Sequence, residues 1–246
     1  MPPALLALLQ MGLGPPAAAQ VSDPQRRIPI APIARPALNA PVVPPDFGVA
    51  IERVGGDPGE PLVLPRGAAD PRASWGTRST HHASKDQPWN ADQTLIWLRN
   101  AGEVGRPRAV LLDAATLRPA GACPDYAGVL QGGDDRWHPD PERSHVRVGV
   151  TGKPPRRLVW YDAVACRVLR DAPIPDELGF SPRGIGDGEG NLTQDGRYVF
   201  LHDRERQEGR LVEMQPPGAC PAGAVSSGGM CFGPILPIGC ELAGAT

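Results

Sequence analysis

No sign of charge dominates this sequence: Lys plus Arg number 25 and Asp plus Glu 27, a formal net charge of -2. That balance removes the electrostatic basis for binding nucleic acid or docking on an anionic membrane surface. Helical patterning is missing too. No segment repeats apolar residues at helical period, and 30 Gly with 31 Pro make a helical bundle untenable. Beyond the first twenty residues no apolar run approaches the length needed to cross a bilayer. Cys-x-x-Cys is absent, which excludes a zinc ribbon or a thioredoxin-type site. Also absent are His-Glu-x-x-His, a Walker loop and a Gly-x-Ser-x-Gly elbow. What remains is a chain of 246 residues, 41% hydrophobic, long enough for one or two domains.

The N-terminus reads as an export signal. Ala4–Leu13 is a short apolar run, Pro15 and Pro16 break it, and Ala17–Ala19 supply the small side chains of a cleavage site. Cleavage is expected after Ala19, although no Lys or Arg occurs before Arg26. The mature protein is therefore expected to be periplasmic or secreted, with no membrane insertion. Residues 20–45 are Pro-rich, with seven prolines between positions 24 and 45, and read as an extended linker. The five cysteines, Cys123, Cys166, Cys220, Cys231 and Cys240, leave at least one thiol unpaired in a monomer. Cys123 and Cys166 could pair, though their spacing does not demand it.

From residue 46 to 213 the pattern changes to short apolar runs bounded by turn residues. Leu95–Leu98, Ala109–Leu112, Val146–Val150, Leu158–Tyr161 and Tyr198–Leu201 each have the length and composition of a short strand. Their surroundings repeat. Asp92, Asp140 and Asp195 each follow a large side chain (Trp89, Trp137, Leu192) by three positions, and they lie 48 and 55 residues apart. A second landmark, Asp113 and Asp162, recurs 49 residues apart, each 21 or 22 residues after its first landmark. Two landmarks in phase at about 50 residues indicate one four-stranded unit per period. Each first Asp is expected to cap a tight turn, and the large side chain before it to wedge between sheets.

Trp-x-x-Asp before an apolar strand, and its Asp195-Gly196-Arg197 variant, resemble the repeats of TolB-like and WD-repeat-like β-propellers. His81–Asp92 together with Gly188–Leu192 is similar to a group of exported bacterial propeller proteins. The resemblance covers about residues 46–213 and implies a propeller of roughly six to eight blades acting as a scaffold or binding surface. Oligogalacturonate lyases are distant propeller relatives with metal-binding histidines, but their ligand set has no full match here. The span holds only about three to four units of roughly 50 residues, so the expected fold is an all-β, partial propeller. At the position of a third second-landmark stand Pro216 and Pro217. Residues 214–246 carry one charged side chain, Glu241, and are expected to form an irregular Gly-, Pro- and Cys-rich tail beyond a repeat region ending near Val212.

Two segments carry candidate chemistry. His81, His82, Lys85 and Asn90 lie close together, with Asp86 and Asp92 among them. Gly184–Asn191 is Gly-rich, and its Asp187, Glu189 and Asn191 alternate as oxygen ligands for calcium do. An EF-hand is excluded by Leu192 and Tyr198 at its sixth and twelfth positions, and a close-packed turn is the simpler reading. A phosphate loop would open a helix, whereas here a turn and strand follow. The expected function is an exported, non-catalytic binding or scaffold module for a glycan or protein. Its ligand residues would be His81, His82, Lys85, Asn90, Glu189 and Asn191, and no cofactor is required. The alternative is a carbohydrate-active lyase or hydrolase on the same scaffold. There His81, His82, Lys85 and Glu189 would act with a divalent cation such as calcium.

Overall fold

The computed structural model describes residues 32–45, 48–65, 73–81, 86–102, 109–124, 126–130, 134–186 and 190–237. The chain divides into two compact units, one ending at Arg53 and one beginning at Val54. In the first, single bridges join Leu38 to Arg53 and Val42 to Ile51. Residues 48–53 thus pair with the Pro-rich segment.

Among the described residues the second unit is all-β, with three antiparallel sheets, none closed on itself. Sheet I is the meander β1 (Arg78–Thr80), β2 (Leu95–Ala101), β3 (Ala109–Asp113) and β4 (Pro119–Ala122). Sheet II repeats it with β5 (Asp134–Trp137), β6 (Val146–Val150), β7 (Arg157–Asp162) and β8 (Arg167–Pro173). A one-and-a-half-turn helix, Tyr126–Leu130, lies between the two in sequence. Sheet III contains β9 (Gly184–Ile185), β10 (Tyr198–Asp203), β11 (Glu208–Glu213), β12 (Val225–Ser227), β13 (Met230–Phe232) and β14 (Leu236–Pro237). Its order is β12-β13-β11-β10-β9, with β14 sharing the same edge of β11 as β13.

Strands β2, β3 and β7 are largely buried on both faces, and alternation sorts their residues between layers. In β2, Ile96 and Leu98 face one core cluster with Leu62, Ala73 and Trp75, while Trp97 faces another. In β7, Val159 and Tyr161 join Trp97 between sheets I and II, while Leu158 and Trp160 join Ile185, Leu201 and Phe232 between sheets II and III. Each sheet therefore packs face to face on the next in chain order. A short hairpin, with Leu62 N–H donating to Ala73 O at 2.8 Å and Trp75 N–H to Glu60 O at 2.9 Å, covers the outer face of sheet I.

Both sequence landmarks are turns held by a carboxylate. Asp92 accepts from Thr94 N–H at 3.2 Å, Asp140 from Glu142 N–H at 2.9 Å and Asp195 from Arg197 N–H at 3.0 Å. The hydroxyls of Thr94 and Thr193 donate as well, and these bonds hold the Asp92 and Asp195 carboxyls below their ordinary range. Asp113 and Asp162 close the β3–β4 and β7–β8 turns in the same way, accepting from Thr116 N–H at 2.7 Å and Ala165 N–H at 2.8 Å. Gly196 is required twice over. Its φ is +65°, and a Cβ there would stand 2.4 Å from Cε1 of His138 in the preceding sheet. Gly196→Ala is expected to destabilise the protein by about 1–3 kcal/mol in a denaturant titration. An unchanged midpoint would contradict this packing.

The wedge expectation holds for two of three positions. Trp137 packs edge-on to Trp97 with centroids 6.0 Å apart, and its Nε1–H donates to Pro88 O at 3.1 Å. Leu192 packs against the core between sheets II and III. Trp89 is instead 48% exposed. The reason is positional: the hairpin preceding sheet I covers Ile96 and Leu98 but leaves the Trp89 ring uncovered.

The irregular tail also needs correction. After the Pro216-Pro217 turn the chain forms the β12–β13 hairpin through Gly228 and Gly229, whose φ values of +56° and +71° suit a two-residue turn. Met230 and Phe232 are fully buried in the core between sheets II and III, and this burial makes strands of a stretch whose composition disfavours them. Disulfides join Cys220 to Cys231 and Cys123 to Cys166, the second tying the end of sheet I to the β7–β8 turn of sheet II. Cys240 lies outside the described residues. No helix among the described residues is long and apolar enough to cross a membrane.

Candidate binding cleft

The first strands of sheets I and III share an irregularity. β1 pairs with β2 only over Arg99–Ala101, and contact resumes further along at the bridge from Trp89 to Ile96. β9 pairs with β10 only at Leu201 and His202, and contact resumes at the bridge from Leu192 to Val199. In sheet II, β5 runs against β6 without a break from Asp134 to Trp137. Asp86 lies in the first interruption and Gly190 in the second, and sheet II holds both.

It does so with charge. Arg136 in β5 donates from Nε to Gly190 O at 2.8 Å and pairs with Asp134, which in turn accepts from Ile185 N–H at 3.0 Å. Arg147 in β6 donates from Nη2 to Asp86 Oδ2 at 3.1 Å and pairs through Nε with Asp135. Its guanidinium packs beside the Trp97–Trp137 pair, 4.9 Å from each ring centroid, and its side chain is 1% exposed. Burial acts to lower the Arg147 pKa, but Asp135 and Asp86 outweigh it and hold the group above its ordinary value. Burial pushes the Asp86 carboxyl up, against the opposing pull of Arg147.

Between these elements lies a cleft of about 340 Å³, within the range of small-ligand sites. Asp86 and Arg136 line it, Trp89 and Asn191 stand exposed on its rim, and Gln87 and Gln93 add amides. His138 also contributes. Its Nδ1 accepts from Asp140 N–H at 3.2 Å, which places the proton on Nε2, and burial holds its pKa below the ordinary value.

The sequence candidates fare unequally. Asn191 lies on the cleft. Asn90 lines it as well, but its Oδ1 accepts from the N–H groups of Thr94 and Leu95, both at 2.9 Å, so its oxygen holds the turn. His81 is exposed at the end of β1 and does not line the cleft. His82, Lys85 and Glu189 lie outside the described residues, as does Asp187. Among the described residues no group of three or more His, Cys, Asp or Glu side chains is placed to hold a metal ion. Sequence reasoning missed the roles of Asp86, Arg136 and Arg147. The available signal was Asp134-Asp135-Arg136 within a strand-forming stretch, since buried strand charges require partners. No family model, curated protein or solved structure matches the chain.

Proposed function

We propose that this protein is an exported, non-catalytic glycan-binding module, and that its three sheets are successive blades of a β-propeller. The propeller reading is supported by the face-to-face order of the sheets, the meander of sheets I and II, and the Asp-capped turns in phase. Export is supported by two disulfides, which form and persist in oxidising compartments.

The observation that carries the glycan reading is Trp89. A large aromatic ring, 48% exposed on the rim of a preformed cleft among amide side chains, offers a pyranose both a stacking platform and hydrogen bonds. Catalysis finds less support. His138, the one histidine on the cleft among the described residues, is 1% exposed beneath Gly196 with Nδ1 already engaged. A second groove at the opposite end of sheet II has its Arg157 paired with Asp171 and presents no aromatic platform.

Calorimetric titration of the purified protein with neutral, amino and acidic oligosaccharides tests the proposal. At least one is expected to bind, and Trp89→Ala to weaken it about ten-fold or more, equivalent to about 1.4 kcal/mol, without shifting the unfolding midpoint. Equal affinity in the variant would refute the proposal.

A further inference from the structure

The cleft holds a buried acceptor without a donor. The Asp86 side chain is 2% exposed. Its Oδ2 accepts from Arg147, while its Oδ1 is buried without a hydrogen-bond partner. A buried acceptor in that state is costly unless something donates to it. The surrounding ions do not supply the donor. The carboxylates Asp86, Asp134 and Asp135 face the guanidinium groups of Arg136 and Arg147, and Arg99 also acts on Asp135. Arg136 is committed to Asp134, Asp135 O and Gly190 O, and Arg147 is shared between Asp135 and Asp86. His138 accepts at Nδ1 from Asp140 N–H, which leaves its proton on Nε2, and Asp140 faces Arg143 at 3.9 Å. None of these groups donates to Asp86 Oδ1, although Arg147 Nη1 is likewise buried without a partner, and the exposed Trp89 ring on the same cleft attracts a cation as well as a sugar face.

We infer that the cleft selects an amino sugar, whose protonated amine pairs with the Asp86 carboxylate while its pyranose ring stacks on Trp89. This rests on the glycan reading and narrows it to one ligand class. An N-acetylated sugar loses the charge and two of the three donors. A uronate brings a carboxylate toward Asp86, a like-charge approach that is disfavoured.

The test compares three tetrasaccharides on the wild-type protein by calorimetry at about pH 6, where an amine is protonated. They are β-1,4-linked glucosamine, its N-acetylated counterpart and galacturonate. The glucosamine oligomer is expected to bind about ten-fold or more tightly than the N-acetylated one, with a preference that falls as salt rises. Asp86→Asn is expected to bring the two within about two-fold, with the N-acetylated oligomer still bound. Equal or tighter binding of the N-acetylated or galacturonate oligomer overturns the inference while leaving the glycan reading standing, provided Trp89→Ala weakens that binding. Absence of binding by all three overturns the inference outright. The wild-type comparison needs no variant, so it decides the matter even if Asp86→Asn does not fold.

Discussion

Arg147→Met is expected to lower the unfolding free energy by about 3–5 kcal/mol, the cost typical of stranding buried charge. Arg147 is the cation shared by Asp86 and Asp135, all three side chains being nearly inaccessible to water. Methionine fills much of the same volume beside Trp97 and Trp137, so the loss reads the charge more than the packing. Its removal leaves two carboxylates facing each other in the core. Either they protonate, at a cost at neutral pH, or the loop bearing Asp86 leaves sheet II. A control separates these contributions. Adding Asp86→Asn and Asp135→Asn to Arg147→Met is expected to recover part of the lost stability, because neutral amides do not need the cation. Urea denaturation of the single and triple variants measures both effects. A loss below about 1 kcal/mol in the single variant would show that the network does not hold these sheets together.

Removing the Cys123–Cys166 bridge is expected to be comparably damaging. It closes a loop of sequence separation 43, for which chain entropy gives about 4 kcal/mol. Cys123 belongs to the Trp97, Tyr126 and Tyr161 cluster and Cys166 packs against it, so the loss of the bond loosens the contact between sheets I and II. Cys123→Ser/Cys166→Ser should lower the denaturation midpoint markedly, and reduction of the wild-type protein should move it in the same direction. A midpoint unaffected by the double substitution would contradict the entropic account.

Strands and turns were largely legible in the sequence, while partners were not. Leu95–Leu98, Ala109–Leu112, Val146–Val150, Leu158–Tyr161 and Tyr198–Leu201 all fall within strands, because local β-branched and aromatic composition bounded by turn residues suffices to mark them. The Asp turns were legible for the same reason, being closed by hydrogen bonds two or three residues long. Trp89 and Trp137 show the limit. They occupy equivalent positions before equivalent turns, yet one is half exposed and the other buried, since the outcome depends on which neighbour covers each. Met230–Phe232 was misread because three strand residues among Gly and Pro gain their order from a distant core. The Asp86–Arg147 pair spans 61 residues, and only the stacking of sheets I and II brings its members together.

The central claim is that a saccharide occupies the cleft between the interrupted first strands. Amide hydrogen exchange with and without the tightest-binding oligosaccharide tests it most directly. The account predicts slowed exchange at residues 86–93, 136–139 and 190–192, with little change elsewhere. Protection confined to residues 151–157 and 168–171, at the opposite end of sheet II, would contradict it.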